Sequence, residues 1–120
     1  NEIKSKQFIE KGLALQPKNA DLHYALGLWY VRQKDPAKAN TELKKAFTID
    51  PSNASVVYGY ALAMFSGGNT KEAVQILENY TSRYGNNATI LDGIISICQD
   101  INLTEKANRY LSLRKEVFGY

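Results

Sequence analysis

The sequence predicts an all-α fold built from stacked helix pairs. Three observations support this prediction: similar segments recur at one fixed spacing, apolar residues inside each segment follow helical spacing, and the sustained period-two alternation typical of strands is absent. Two sets of segments align without gaps at this spacing: 16–27, 50–61 and 84–95, then 35–47, 69–81 and 103–115. Each repeat is therefore expected to contain two helices joined by a short polar turn.

Seven helices are predicted, and turn residues set their limits. In chain order they lie near residues 3–15, 20–33, 36–48, 54–66, 70–84, 88–101 and 104–117. Pro17 and Pro51 follow the first and third helices, because proline cannot continue a helix. Asparagine recurs in the turns before the second, fourth and sixth helices, where a polar residue favours a helix start.

The remaining helix limits rest on similar local signals. Asp35 before Pro36 is a favoured N-cap followed by proline at the first helical position, and it opens the third helix. The Gly67–Gly68 pair ends the fourth helix. Asn69 precedes the fifth helix, and Thr104 opens the seventh. The chain is then a single domain, with half a repeat in 1–19 (its second helix only) and full repeats in 20–53, 54–87 and 88–120.

One glycine inside a predicted helix needs an explanation. Gly27 lies in the stretch YALGLWY, where glycine costs roughly 1 kcal/mol relative to alanine. The second helix of each repeat carries a small residue at the same place, since Ala39, Ala73 and Ala107 follow one another at the repeat spacing. We expect Gly27 and Ala39 to let the two helices of one repeat approach closely, which offsets the cost of the glycine.

This pattern resembles the tetratricopeptide repeat, whose 34-residue signature is W-x2-L-G-x2-Y, then A-x3-F, then alanine and proline. The first full unit places the signature on His23, Leu26, Gly27, Tyr30, Ala39, Leu43, Ala46 and Pro51. Only His23 departs from the expected type, and the second and third units match progressively less well. The resemblance implies a right-handed α-solenoid whose concave side is lined by the first helix of each repeat.

Composition excludes several classes of partner. The net charge of +3 is spread thinly over the repeats, so no basic face indicates nucleic-acid binding. No apolar run approaches the length of a membrane span, and no signal peptide opens the chain, so we expect no membrane insertion. The chain begins at Asn1 without an initiator methionine, which favours either a fragment of a larger protein or a processed chain.

Catalytic and metal-binding constellations are not found in the sequence. His23 is the single histidine and Cys98 the single cysteine, so neither a histidine pair nor a cysteine cluster can bind a metal ion. We interpret both as packed structural residues and predict no enzymatic activity, no catalytic residue and no cofactor. Four glycosylation sequons also occur, and turn chemistry explains them without glycans. They begin at Asn53, Asn79, Asn87 and Asn102.

A candidate binding surface remains on the inner face of the first helices. On a 3.6-residue period, one stripe of each first helix is distinct from the stripe that packs inside the repeat. The predicted partner-binding residues of these stripes are Asp21, Tyr24, Leu28, Arg32, Tyr58, Leu62, Phe65, Asp92 and Gln99. Aromatic and aliphatic members of this set would anchor a peptide. Alternatively, they pack against neighbouring helices or against other repeats of a parent protein.

The leading hypothesis is a scaffold that binds a protein or peptide in its concave groove. A carboxylate clamp, known from the chaperone-binding members of the family it resembles, is not expected, because Tyr24, Leu28 and Gly59 occupy its positions. A second hypothesis is a spacer or self-association module. The exposed end expected to drive self-association contains Tyr110, Val117, Phe118 and Tyr120.

A third hypothesis is an accessory domain of an enzyme. Segments of the chain also resemble the C-terminal repeats of bacterial proteins that join a multihaem cytochrome domain to tetratricopeptide repeats. That resemblance implies a docking module in the periplasm, although no Cys-x-x-Cys-His haem motif is present. If that resemblance does not hold, the expected location of the protein is the cytoplasm.

Overall fold

Seven helices and no strand make up the computed structural model, which describes all 120 residues. The helices are α1 (Glu2–Leu15), α2 (Ala20–Arg32), α3 (Pro36–Ile49), α4 (Ala54–Ser66), α5 (Thr70–Tyr84), α6 (Ala88–Asp100) and α7 (Thr104–Phe118). Each predicted limit agrees with the structure to within one residue. The all-α class and the number of helices are confirmed, and the helices form an elongated stack with extents of 45 × 25 × 23 Å.

Asparagine caps recur at the start of the first helix of each repeat. The Asn19, Asn53 and Asn87 side chains accept hydrogen bonds from backbone N–H groups in the first turns of α2, α4 and α6. Each bond satisfies a helix N–H that has no partner within the helix. The sequons that begin at Asn53 and Asn87 therefore have a structural role as helix caps.

A left-handed residue recurs at the turn between the two helices of each repeat. Lys34, Gly68 and Asn102 occupy equivalent positions of the three repeats, with φ angles of 60°, 92° and 62°. The backbone N–H of the residue that follows each one bonds to a carbonyl five residues earlier, as in Asn69 N–H to the Met64 carbonyl at 2.8 Å. Such bonds close the end of the preceding helix in the manner of a Schellman motif.

Close helix contact inside the first repeat is confirmed at Gly27. A Cβ placed on Gly27 would lie 2.7 Å from both Cγ and Cδ2 of Leu43 and 3.3 Å from its backbone nitrogen. Leu43 and Ala39 are buried. Glycine is therefore required here because the backbone of α3 approaches α2 directly.

The hydrophobic core lies mainly in the second and third repeats. One continuous cluster of buried side chains extends from α4 to α7, and α6 contributes the largest share, including Ile90, Leu91 and Ile94. In contrast, α1 has no buried residue, and its Phe8 and Leu15 side chains are 82% and 84% exposed. An exposed apolar face is therefore present on α1. At the opposite end of the stack Val117, Phe118 and Tyr120 are also exposed, whereas Tyr110, which was expected to be exposed, is partly buried and donates a hydrogen bond to Glu78.

Candidate functional site

A repeated contact between tyrosine and glycine organises the inner face of the first helices. The Tyr24 ring lies against Gly59, where an added Cβ would be 2.6 Å from Cε1 of the ring. The Tyr58 ring lies against Gly93 in the same way, at 3.0 Å. Both members of the second pair lie exactly one repeat after those of the first, so each ring bridges two neighbouring repeats. The missing side chains of the two glycines leave room for the rings to lie across the inner face.

Next to the first of these contacts is a cavity of about 660 Å³ between α2, α3 and α4. Four predicted binding residues line it together: Tyr24, Leu28, Tyr58 and Leu62. All four side chains are partly buried. The cavity volume is within the usual range of ligand pockets, and its lining is predominantly apolar apart from one end, where Lys34 and Asp35 lie.

The second helix of the repeat also lines this cavity, a contribution that was not predicted from the sequence. Ala39, Asn40 and Leu43 of α3 line its wall. Asn40 has the most unusual environment, because its Oδ1 atom is buried and accepts no hydrogen bond. The repeat alignment could have singled out Asn40, because the equivalent residue one repeat later is Val74, which is buried and apolar.

Burial also affects the tyrosines at the cavity. Partial burial raises the pKa of the Tyr24 hydroxyl above its ordinary value, and proximity to Tyr58 adds to the increase. Neither Tyr24 nor Tyr58 donates its hydroxyl proton to another group of the chain. The Tyr24 hydroxyl therefore stays neutral near pH 7, and both hydroxyls are available for hydrogen bonds to a partner.

The other five predicted residues do not line this cavity. Arg32 lies beside Leu28 at a second cleft, formed with α1, and its Nε is 3.5 Å from a carboxylate oxygen of Glu2. Phe65 packs against the core cluster. Asp21 and Gln99 are exposed to solvent.

Asp92 is engaged within the chain. It accepts a hydrogen bond from the guanidinium of Arg114 on α7. The charge of the Asp92 carboxylate is therefore partly neutralised by an ion pair that helix periodicity alone could not reveal.

His23 and Cys98 are in structural environments. His23 is buried, its Nε2 lies 2.7 Å from the Pro17 carbonyl oxygen, and its Nδ1 lies 3.0 Å from a Glu42 carboxylate oxygen. The ring thus connects the turn before α2 to α3. Cys98 is a buried free cysteine, and burial raises the pKa of its thiol, which disfavours the reactive thiolate.

No group of three or more histidine, cysteine, aspartate or glutamate side chains is arranged to hold a metal ion. None of the seven helices combines the length and the apolar character that spanning a bilayer requires.

Comparison with known proteins identifies similar chains. A family model described as "Tetratricopeptide repeat" matches residues 30–92, more than half of the chain. The Type IV pilus assembly protein PilF of Pseudomonas aeruginosa is 31% identical over 77 residues, which make up 64% of this chain and 31% of that protein. The chain thus spans about a third of the length of this curated relative.

Solved structures of three different proteins have the same arrangement of helices. A structure of Pseudomonas aeruginosa PilF superposes with a TM-score of 0.72 at 20% identity, over 98% of this chain and 54% of that one. A crystal structure of MamA gives 0.77 at 18% identity, over 99% and 68%. An O-GlcNAc transferase from Thermobaculum terrenum gives 0.70 at 20% identity, over 81% and 19%. At these identities the likeness establishes the fold.

Proposed function

The chain belongs to the tetratricopeptide repeat family, and from this premise we propose that it is an interaction scaffold whose concave groove binds a peptide segment of a partner protein. Proteins with this fold generally mediate protein–protein interaction. The choice of the concave groove as the binding surface rests on one observation. Four residues of the predicted inner face together line an apolar cavity of about 660 Å³.

The lining of the cavity is suited to anchoring a side chain of a partner. Tyr58 and Leu62 come from α4, and Tyr24 and Leu28 come from α2, so an inserted side chain would contact two repeats at once. Aromatic and aliphatic anchors in desolvated pockets supply most of the energy at protein interfaces. Asp21, Arg32 and Gln99 are more exposed and would contribute contacts at the rim, where each contact is weaker.

Selection of binding peptides from a phage-displayed random library, with the chain as bait, tests this proposal. The Tyr58→Ala, Leu62→Ala double variant should lose most of the affinity for the selected peptides while circular dichroism shows an intact helical fold. A matched control is the Tyr84→Ala, Ile49→Ala double variant, which removes the same types of side chain from exposed positions outside the cavity. Equal affinity of the wild type and the Tyr58, Leu62 variant would reject the groove as the binding surface.

The pilus-assembly relative indicates the context in which such a scaffold could act. That protein is described as an assembly protein, and we propose that the partner of this chain is likewise a component of a larger protein assembly. Pull-down with this chain as bait, followed by mass spectrometry, tests this context. Recovery of several mutually interacting proteins supports it, and recovery of no partner, or of only a single isolated protein, contradicts it.

The other functions remain predictions of the sequence analysis. The exposed Phe8 and Leu15 side chains specifically favour self-association as the second candidate. An accessory role in an enzyme, including the docking module of a multihaem cytochrome, requires catalytic or haem-binding motifs outside these 120 residues, and reading the complete gene decides whether such motifs exist.

A further inference from the structure

We propose that the cleft between α1 and α2 binds an amphipathic helix with the first-helix pattern of the repeat, and that this helix belongs to a further repeat placed before α1 in the same polypeptide. The inference does not rest on the proposed function, because it concerns a different surface. Two observations carry it. The face of α1 presents positions that pair with a first helix elsewhere in the chain, and the cleft repeats the cavity between α2, α3 and α4 without one of its walls.

The face of α1 that lacks a partner is the one that a second helix turns toward its own first helix. Phe8 and Ile9 lie one repeat before Glu42 and Leu43 of α3, whose side chains contact α2. Leu43 is fully buried in the first repeat, whereas Phe8 is exposed and Ile9 is only partly buried. The two helices of a repeat bury their apolar faces against each other, so α1 lacks a contact that α3 makes.

The cleft beside this face has a volume of about 560 Å³. Six of its eight lining residues lie one repeat before residues that line the cavity between α2, α3 and α4. The six are Asn1, Ser5, Ile9, Ala25, Leu28 and Arg32. The cavity has one further wall, which Tyr24, Leu28 and Val31 of α2 supply. A helix equivalent to α2 and packed on α1 would supply the same wall to the cleft.

Two residues of α1 indicate what the docked helix carries. Opposite Ile9 it needs a small residue, because the equivalent Leu43 lies directly against Gly27. Opposite Phe8 it needs an apolar residue, because burying the ring against an apolar side chain removes both from water. These are the features of an amphipathic helix with glycine or alanine at its closest contact.

Ala25 gives an independent sign that a helix packs in the cleft. It lines the cleft at the position of Gly59 and Gly93, which receive the rings of Tyr24 and Tyr58 from the first helix of the preceding repeat. Ala25 therefore marks the place where a preceding first helix would meet α2. Because alanine already carries a Cβ, the side chain opposite it is expected to be smaller than tyrosine.

The docked helix comes from outside these 120 residues. All three first helices of the chain are packed within their own repeats, so a second copy could cover the cleft only with its own α1. In each repeat the first helix precedes the second through a turn of three residues. The Asn1 side chain caps α1 in the way that Asp35 caps α3 after such a turn. This order places the docked helix before α1 in the same polypeptide.

A fused chain tests whether the cleft accepts such a helix. A copy of residues 53–68, with Tyr58→Ser in the copy, is placed directly before Asn1. Asn1 is equivalent to Asn69, so the copy ends in its native glycine turn. Circular dichroism should show the added helix, the Tm should rise by at least about 5 °C, and amide hydrogen exchange in α1 should slow about tenfold or more.

A matched control fusion carries Val57→Lys and Ala61→Lys in the copy. These positions would face Phe8 and Ile9, and burying a charged side chain against them is unfavourable. The Tm of the control fusion should therefore stay within about 2 °C of that of the original chain, and exchange in α1 should be unchanged.

Phe8→Ser reports the contact from the side of α1. In the original chain the ring is exposed, so the substitution should change the Tm by less than about 2 °C. In the fused chain the ring would be buried, and the same substitution should lower the Tm by about 5 °C or more. Equal Tm values for the two fusions, unchanged exchange in α1 of the fused chain, or an equal effect of Phe8→Ser in both chains would overturn the inference.

The complete gene tests the source of the helix. It should encode glycine or alanine eight residues before Asn1, the position equivalent to Gly27, and an apolar residue four residues earlier, opposite Phe8. A gene without this pattern would mean that a second copy or another protein covers the cleft, and it would overturn the assignment of the helix to the same polypeptide.

Discussion

The ring of Tyr24 occupies space that only a glycine at position 59 leaves open. An added Cβ on Gly59 would lie 2.6 Å from Cε1 and 3.0 Å from the hydroxyl oxygen of Tyr24. The glycine is on α4 and the tyrosine on α2, so this contact joins two repeats at the edge of the cavity. Gly59 thus shapes the proposed binding surface, whereas Gly27, which faces Leu43, shapes the core of a repeat.

Alanine at the two glycines should therefore have different effects. Gly27→Ala should destabilise the chain by about 1–3 kcal/mol, because the added Cβ meets a fully buried side chain and a backbone atom that cannot move away. Gly59→Ala should change stability by less than about 1 kcal/mol, since the Tyr24 ring can rotate and alanine improves helix propensity. Urea denaturation followed by circular dichroism measures both.

The displaced ring should nevertheless weaken binding. Gly59→Ala should reduce the affinity for groove-selected peptides several-fold, because Tyr24 no longer lines the cavity in its native position. Similar losses of stability in both variants would contradict the assignment of different roles to the two glycines.

The left-handed turn residues offer a stabilising substitution. Lys34 has a φ of 60°, which costs an L-residue with a side chain roughly 1–2 kcal/mol, and Gly68 holds the equivalent position without that cost. Lys34→Gly should raise the free energy of unfolding by about 0.5–1 kcal/mol, after allowance for the greater freedom of glycine in the unfolded chain. Gly68→Ala is the reciprocal control and should lower it by about 1 kcal/mol, because open space around the position leaves only backbone strain. Thermal unfolding of the two variants checks the opposite signs.

Helix limits and the Gly27 contact were predictable from sequence because they depend on local chemistry. Proline, glycine and asparagine fix the turns, and the regular repeat spacing presents the same signals in three successive units. The environment of Asn40 was not predictable in this way, because helical periodicity assigns a residue to a face but does not indicate whether its amide finds a partner. The same limit applies to Asp92. Its ion pair with Arg114 joins α6 to α7, and the periodicity of one helix does not indicate which side chain of another helix it meets.

The unpartnered Oδ1 atom of Asn40 should cost stability in the free chain. Asn40→Leu should raise the free energy of unfolding by about 1–3 kcal/mol, because it removes a buried oxygen that has no hydrogen bond. The matched control is Asn108→Leu at the equivalent position of the third repeat, which is exposed and should change stability by less than about 0.5 kcal/mol. A destabilising effect of Asn40→Leu would mean that the amide supports the native fold.

The hydroxyl of Tyr110 should make the chain sensitive to alkaline pH. Burial raises the pKa of Tyr110 above its ordinary value, and the hydrogen bond that its hydroxyl donates to Glu78 raises it further. A raised pKa in the folded state means that the folded chain holds this proton more tightly than the unfolded chain. The stabilisation is complete below about pH 10, the pKa of unfolded tyrosine, and is lost as the pH rises above it.

Tyr110→Phe checks this sign. The variant should lose about 1 kcal/mol near pH 7, the usual value of one hydrogen bond, and should show a shallower loss of stability than the wild type above about pH 10. Urea denaturation across this range measures the slopes. Tyr84→Phe is the control for the loss near pH 7, because the exposed Tyr84 hydroxyl makes no hydrogen bond within the chain and its removal should change stability by less than about 0.5 kcal/mol. Parallel slopes for the wild type and Tyr110→Phe would reject the assignment.

The apolar face of α1 should cause self-association at high concentration. Phe8 and Leu15 are more than four-fifths exposed, and α1 has no buried residue, so polar substitutions there remove contact area without opening a cavity. Phe8→Ser with Leu15→Ser should shift the sedimentation equilibrium toward the monomer while changing the free energy of unfolding by less than about 0.5 kcal/mol. The companion variant Val117→Ser with Tyr120→Ser makes the equivalent change at the other end of the stack. If only the companion variant dissociates the oligomer, the contact lies at α7, as the sequence predicted; if the wild type is a strict monomer, the exposed face on α1 does not drive self-association.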